Sequence, residues 1–173
     1  MADVNDLSNV RLCSHGRVHR DGYTEVDYGG VTVLVAPNGG AYPHGNSVLV
    51  RRTAATLLLD PSLALVDAPP AVDAVLVSHA HEDHVAGLGG YDAPVHVHDA
   101  DLAAVHAPEV MVAAYGLAPD DARDTLQHTV LDKFRVTGRP DATGFADGAR
   151  FDLGGRTATV VHLPGHTPGH SGV

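Results

Sequence analysis

The 173-residue sequence has one cysteine, Cys13, and no tryptophan. A single thiol excludes an intrachain disulfide framework and any multi-cysteine zinc site. Cys13 reads as a small packed or exposed thiol. Lysine and arginine total 11 against 21 aspartates and glutamates, a formal net charge of −10. So acidic a chain repels polyphosphate, which disfavours nucleic-acid binding through a broad basic face. No apolar run approaches the roughly 20 residues of a membrane span. Met1 to Asp6 is acidic and carries no apolar signal region. A cytoplasmic protein with no membrane partner is the expectation. The remaining composition, 44% hydrophobic and 18% charged, suits one globular domain over 1–173.

Two β-rich runs, Tyr23 to Asp27 and Val31 to Ala36, flank Tyr28-Gly29-Gly30 and read as a hairpin. Ser47 to Arg51 and Thr56 to Asp60 are two more strands, separated from the hairpin by a Gly/Pro/Asn loop from Pro37 to Asn46. Ala74 to Ser78 is apolar up to its last residue and reads as a buried strand. Three helices are expected next. One is capped by Asp99 and runs over 100–106; one is opened by Pro108 and closed by Gly116; one runs from Pro119 to about Lys133. The acidic residues between Asp99 and Asp124 read as a solvated face. Arg135 to Ala149 reads as a loop, and Arg150 to Leu153 and Thr157 to Leu163 as strands. Strands, then strand–helix alternation, then strands indicate mixed α/β layers.

The abundance is histidine, thirteen residues. His79-Ala80-His81-Glu82-Asp83-His84 follows the buried run directly. A strand ending in a loop delivers side chains to the rim of a sheet, where α/β proteins place their sites. His79 and His81 are two apart and point to one side of an extended segment. Two imidazoles there can bind one metal ion. Asp83 and His84 point differently and can reach a second, with a helix starting near Asp83 fixing the turn. Imidazole and carboxylate without thiolate suit zinc, and also iron or manganese. The helical motif H-E-x-x-H fails, because the second histidine comes one place early. A lone histidine would be an ordinary loop residue; three with an aspartate inside six positions are not so easily dismissed.

A second cluster, His162-Leu163-Pro164-Gly165-His166-Thr167-Pro168-Gly169-His170, also follows a strand-like run. Its two Pro-Gly pairs force tight turns around His166, which makes His166 the candidate ligand. His162 and His170 read as surface or supporting residues. His96 and His98 alternate with Val95 and Val97 and would share one strand face, again in surface or supporting roles. Asp60 is a candidate acceptor for a ligand histidine's second N–H, though a turn aspartate before Pro61 is the plainer reading. Tyr42 and His44 are the residues of the 37–46 loop best placed to touch a substrate.

The H-x-H-x-D-H pattern at His79, His81, Asp83 and His84, paired with Pro-Gly-His-Thr-Pro-Gly-His from Pro164 to His170, resembles the metallo-β-lactamase superfamily. The similarity covers roughly residues 30 to 173. It implies an αββα sandwich with a metal site at one edge of its sheets, here the N-terminal half plus the start of the second half. By resemblance, His79, His81 and His166 bind a first metal and Asp83 and His84 a second. Zinc is the expected metal, with two ions in a complete family site and one a possibility here, and iron or manganese as alternatives. The family usually adds a bridging aspartate and a further histidine after the second motif, and neither occurs before Val173. A shortened form of a longer enzyme, a homo-oligomer or second chain completing the fold, and a remnant that binds metal without catalysis are all open readings.

The implied activity is metal-assisted hydrolysis of a small-molecule thioester, lactone, β-lactam or phosphoester. Asp83 would position the nucleophile and accept its proton. A mononuclear-iron oxidoreductase acting on persulfides is the alternative.

Overall fold

A computed structural model describes residues 15–20 and 22–173. Cys13 and the Met1 to Asp6 stretch lie outside the described residues. Eight strands form one sheet in chain order: β1 (His15–Arg20), β2 (Tyr23–Asp27), β3 (Val31–Val35), β4 (Ser47–Arg51), β5 (Thr56–Leu59), β6 (Ala74–Val77), β7 (Val95–His98) and β8 (Thr143–Phe145). Pairing is antiparallel from β1 to β5 and parallel from β5 to β8. The change of direction follows from the connections. Hairpin turns join the early strands, whereas the parallel strands need crossovers, which the helical segments supply.

Those segments are α1 (Glu82–Val85), α2 (Leu102–His106), α3 (Pro108–Ala114) and α4 (Asp121–His128). They cover one face of the sheet. Leu49, Leu58, Val75, Val77, Val95 and Val97 pack there with Val85, Val105, Met111, Val112 and Phe134. The other face carries Leu57, Leu76 and Phe145, which pack with Leu153 and Val160. Successive residues of β6 therefore enter opposite cores, which explains why the whole run is apolar. Each such buried aliphatic side chain contributes about 1.5–3 kcal/mol. No helix among the described residues is long and apolar enough to cross a membrane.

Two small antiparallel pairs follow, β9 (Arg150–Asp152) with β10 (Thr157–Thr159), and β11 (Val161–His162) with β12 (Ser171–Gly172); Phe151 of β9 and Ala158 of β10 pack against the second core.

Four expectations change in detail. The stretch expected to be a loop, 135–149, contains β8, a short edge strand whose Thr-Gly-Phe gives little periodicity but pairs with β7. The run from Thr157 to Leu163 divides at Val160, which is buried in the second core. The helix expected from Pro119 starts at Asp121, because Asp120 caps it by accepting from the Ala122 N–H at 3.0 Å. It ends at His128 and passes into one wide turn, Thr129–Lys133. Asp99 is not the cap of the 102–106 helix; Asp101 holds that position, with its carboxylate spent elsewhere.

Arg139 fixes the approach to β8. Its buried guanidinium donates to the carbonyls of Leu88, Tyr91 and Ala93 and to the Asp141 carboxylate. Few other groups could satisfy three converging carbonyls at once.

Candidate metal centre

β6 ends at Val77, and the histidine stretch begins two residues later. The second histidine stretch is the hairpin loop between β11 and β12. Ser171 N–H donates to the Ser78 carbonyl at 2.9 Å, which docks that hairpin at the end of β6. Within the loop, Leu163 N–H donates to the His170 carbonyl and Gly165 N–H to the Thr167 carbonyl. Gly165 has φ of 151°, a backbone state that favours glycine. The turns therefore hold His166 at the tip of a closed loop.

Asp101 joins the two stretches. This carboxylate is only 4% exposed. Its Oδ2 accepts from the Ala80 N–H at 3.1 Å and the Thr167 hydroxyl at 2.6 Å, and its Oδ1 accepts from the Gly169 N–H at 2.7 Å. Ala80 lies between His79 and His81, and Thr167 follows His166. One side chain thus sets the distance between histidines that are remote in sequence. Gly169 is required there, since a Cβ would come within 2.6 Å of the Asp101 carboxyl carbon.

His79, His81 and His166 come together, each offering one ring nitrogen, and these nitrogens all lie within 4.8 Å of one another. His81 Nδ1 and His166 Nε2 face each other at 3.0 Å. Imidazoles on a tetrahedral zinc with bonds of about 2.0–2.1 Å place their nitrogens roughly 3.3 Å apart. His79 is buried, His81 half-buried and His166 exposed. The Nε2 of His79 is buried with no hydrogen-bond partner. Such atoms are rare in folded proteins and call for an explanation. Three others occur among the described residues, on His44, Arg52 and Tyr91, but none of them belongs to a ligand-type cluster. A buried orphan nitrogen in a cluster of three imidazoles fits a metal ion such as zinc.

Burial pushes the His79 imidazole down to about 2, helped by the neighbouring histidines His84, His81, His166 and His170. Burial also lowers His81, with His166 adding to the effect. Both rings are therefore held neutral, the form that binds metal. His84 behaves differently. Burial opposes its charge, but the hydrogen bond and charge of Asp60, with Asp83 and Glu82 beyond, outweigh that and raise it.

Asp60 sits in the left-handed region at φ 53°. Its Oδ1 accepts from the Ser78 N–H at 2.6 Å, and its Oδ2 from the Ser78 hydroxyl at 2.7 Å and His84 Nδ1 at 2.9 Å. That fixes the His84 ring with Nε2 turned toward Asp83, whose Oδ2 is 3.7 Å away. The His84 and His79 ring centres are 4.1 Å apart. Asp83 and His84 thus stand beside the three-histidine cluster rather than in it. The His170 ring lies 5.1 Å from His79.

The other candidates scatter. Tyr42 reaches the neighbourhood, its hydroxyl donating to Glu82 Oε1 at 3.3 Å. His44 turns instead into a separate cleft beside Pro37, Leu63 and Ala64. His96 pairs with the Thr143 hydroxyl on the sheet's other face. His98 is buried and its ring stacks on His162 at 3.9 Å and 12°.

Two further carboxylates take part in the site. Asp101 was submerged in the acidic 99–124 segment. Glu82 is also 4% exposed and accepts from the hydroxyls of Tyr42 and Tyr115. Burial and Glu82 push the Tyr115 phenol up, which keeps it protonated as a donor. Its ring lies 5.3 Å from His81. A carboxylate between two histidines in the motif was the available signal for Glu82; for Asp101 there was none.

Comparison with known proteins gives this geometry a family. The profile of the Metallo-beta-lactamase superfamily matches residues 42–173. Among solved structures, MEM-A1, a subclass B3 metallo-beta-lactamase from a soil metagenome library, is 20% identical with a TM-score of 0.58. The alignment covers 83% of this chain and 53% of that one. The metallo-beta-lactamase SMB-1 is 18% identical with a TM-score of 0.57, over 83% and 54% of the two chains. The FEZ-1 metallo-beta-lactamase of Legionella gormanii is 20% identical with a TM-score of 0.56, over 83% and 53%. The chain thus spans about half the length of these structures, and at such identities the likeness is one of fold. A comparison with curated protein sequences finds no match. With the profile covering most of its length and the same mixed α/β architecture in its structural relatives, the chain belongs to the metallo-β-lactamase superfamily.

Proposed function

We propose that this chain carries the metal-binding half of a hydrolase that adds water to an ester-like bond in a small molecule: a thioester, lactone, β-lactam or phosphoester. His79, His81 and His166 would hold one metal ion, and Asp83 with His84 a second. The chemistry a zinc ion would supply there is a coordinated water with its pKa lowered to about 7 and polarisation of the bond under attack.

The rest falls to the chain's own side chains. Burial keeps His79 and His81 neutral, so their lone pairs stay available as the pH falls. Asp60 takes the Nδ1 side of His84 and leaves Nε2 free to act as a ligand atom. Asp83 positions the attacking water and accepts its proton. Tyr42, pinned to Glu82, stands at the edge of the site as a substrate contact.

The observation that carries this reading is the buried, unpartnered Nε2 of His79 beside the facing nitrogens of His81 and His166. The test is turnover of a panel containing one thioester, one lactone, one β-lactam and one bis-phosphoester, with zinc added or chelated. The reading expects zinc-dependent hydrolysis of at least one member, abolished in His81→Ala. No turnover of any member with zinc present would contradict it.

A further inference from the structure

A cleft of about 380 Å³ opens beside the histidine cluster, with His81 and His166 on its rim. Its volume falls within the ~300–1,000 Å³ of ordinary ligand pockets. Two helices build the walls. Ala103 and Ala104 come from α2, and Val110, Met111 and Ala114 from α3, the last three spaced to share a face. Tyr115 adds its ring.

The polar groups bordering this space are already engaged. The Tyr115 hydroxyl donates to Glu82 at 2.6 Å, so the phenol presents its ring and not its oxygen. The Thr167 hydroxyl donates to Asp101 at 2.6 Å. The Asp101 carboxylate accepts three hydrogen bonds of its own. Among the described residues no lysine or arginine lines the cleft, so a carboxylate or phosphate would find no counter-charge from them. What the walls can recognise is uncharged hydrocarbon. Because His81 and His166 border both the cleft and the cluster, hydrocarbon seated there is joined to the bond that reacts.

We propose that this cleft seats the acyl portion of the substrate, an uncharged aliphatic chain of medium length, and so makes the enzyme selective for such acyl groups over acetyl. The proposal rests on the hydrolase reading. For a thioester, the oxygen of water bonds to the acyl carbon and the carbon–sulfur bond breaks. The products are the carboxylic acid and the free thiol, with no oxidant or reductant required.

The test has two arms on the full chain. In the first, hydrolysis of acetyl and hexanoyl thioesters of N-acetylcysteamine is compared with zinc bound. Burying several additional methylenes predicts a kcat/KM ratio favouring hexanoyl by roughly tenfold to a hundredfold. Ala103→Leu and Ala114→Leu, at exposed helical positions where leucine is well tolerated, fill the cleft and bring that ratio toward one.

The second arm needs no turnover. The chain has two methionines, Met1 and Met111, so the methyl signal of Met111 is readily assigned. Hexanamide should shift it in the wild type, with and without zinc, and not in either variant. An unshifted Met111 signal, a shift that survives both leucines, or hydrolysis indifferent to chain length would each overturn the proposal. A shift in the wild type with no hydrolysis of either thioester keeps the apolar cleft but overturns its assignment to the acyl group, while the hydrolase reading itself stands or falls on the four-substrate panel.

Discussion

Two groups of histidines are held by neighbouring strands and one shared hairpin, and they differ in how their rings meet and what their nitrogens touch. His98 and His162 stack face to face, and each ring has a backbone partner: His98 Nδ1 accepts from the Ala100 N–H, and His162 Nε2 donates to the Pro168 carbonyl. His79, His81 and His166 meet edge to face, with one nitrogen buried and unpartnered and two others turned toward each other. Proximity of imidazoles is therefore a poor mark of a metal site. The state of their nitrogens is the better one, because a satisfied ring gains nothing from a cation and an orphaned one does.

The largest effects should separate these groups outright. His81→Ala or His166→Ala should weaken zinc binding by more than the 10–100-fold typical of losing an outer partner, measured by competition with a chromophoric chelator. His128, exposed on α4 beside Asp132, serves as the control: His128→Ala should leave zinc content unchanged. Equal loss in all three variants would indicate unfolding and break the distinction.

Asp101→Asn comes next. The amide keeps the shape but supplies one acceptor oxygen where the carboxylate supplies two, leaving a buried donor without a partner. Stability should fall by about 3 kcal/mol in urea unfolding. Zinc affinity should fall roughly tenfold, although Asp101 touches none of the three rings. An unchanged affinity would mean that the two loops hold their spacing without it.

A pH effect of about 2 kcal/mol follows from His79. Its folded value is depressed to about 2, so its contribution is present above the unfolded value of about 6.5 and is lost as pH falls below it. His81 acts in the same direction. His84, raised, acts oppositely: its contribution is full below about 6.5 and is lost as pH rises through its folded value. The metal-free chain should therefore be less stable at pH 5 than at pH 7 in urea titrations. His79→Ala should flatten that dependence.

The smallest effect is expected for His98→Ala. Loss of the stacked ring should cost about 1 kcal/mol with zinc affinity within twofold of the wild type. A larger drop in affinity would tie the stacked pair to the metal site and dissolve the contrast.

Much of this arrangement was legible in the sequence for identifiable reasons. The apolar run before His79 marked a strand buried on both faces, and the Pro-Gly pairs around His166 marked a fixed loop. Both are local signals. The illegible parts depend on distant partners. β8 is three residues long and exists through its pairing with β7. Asp101 lay among acids that mostly face solvent, and only the fold brings Ala80, Thr167 and Gly169 to its carboxylate. His44 belonged to a loop near the site, but the backbone turned its ring into another cleft. Local periodicity and turn chemistry survive in one dimension, whereas hydrogen bonds across 60 or more positions, like those of Asp101 to the His166 loop, do not.

The most direct measurement is an anomalous-scattering map at the zinc edge from crystals of the zinc-loaded chain. It should place a zinc ion bonded to Nε2 of His79, Nδ1 of His81 and Nε2 of His166. Zinc bound elsewhere, or those three nitrogens without a shared ion at saturating zinc, would contradict the account.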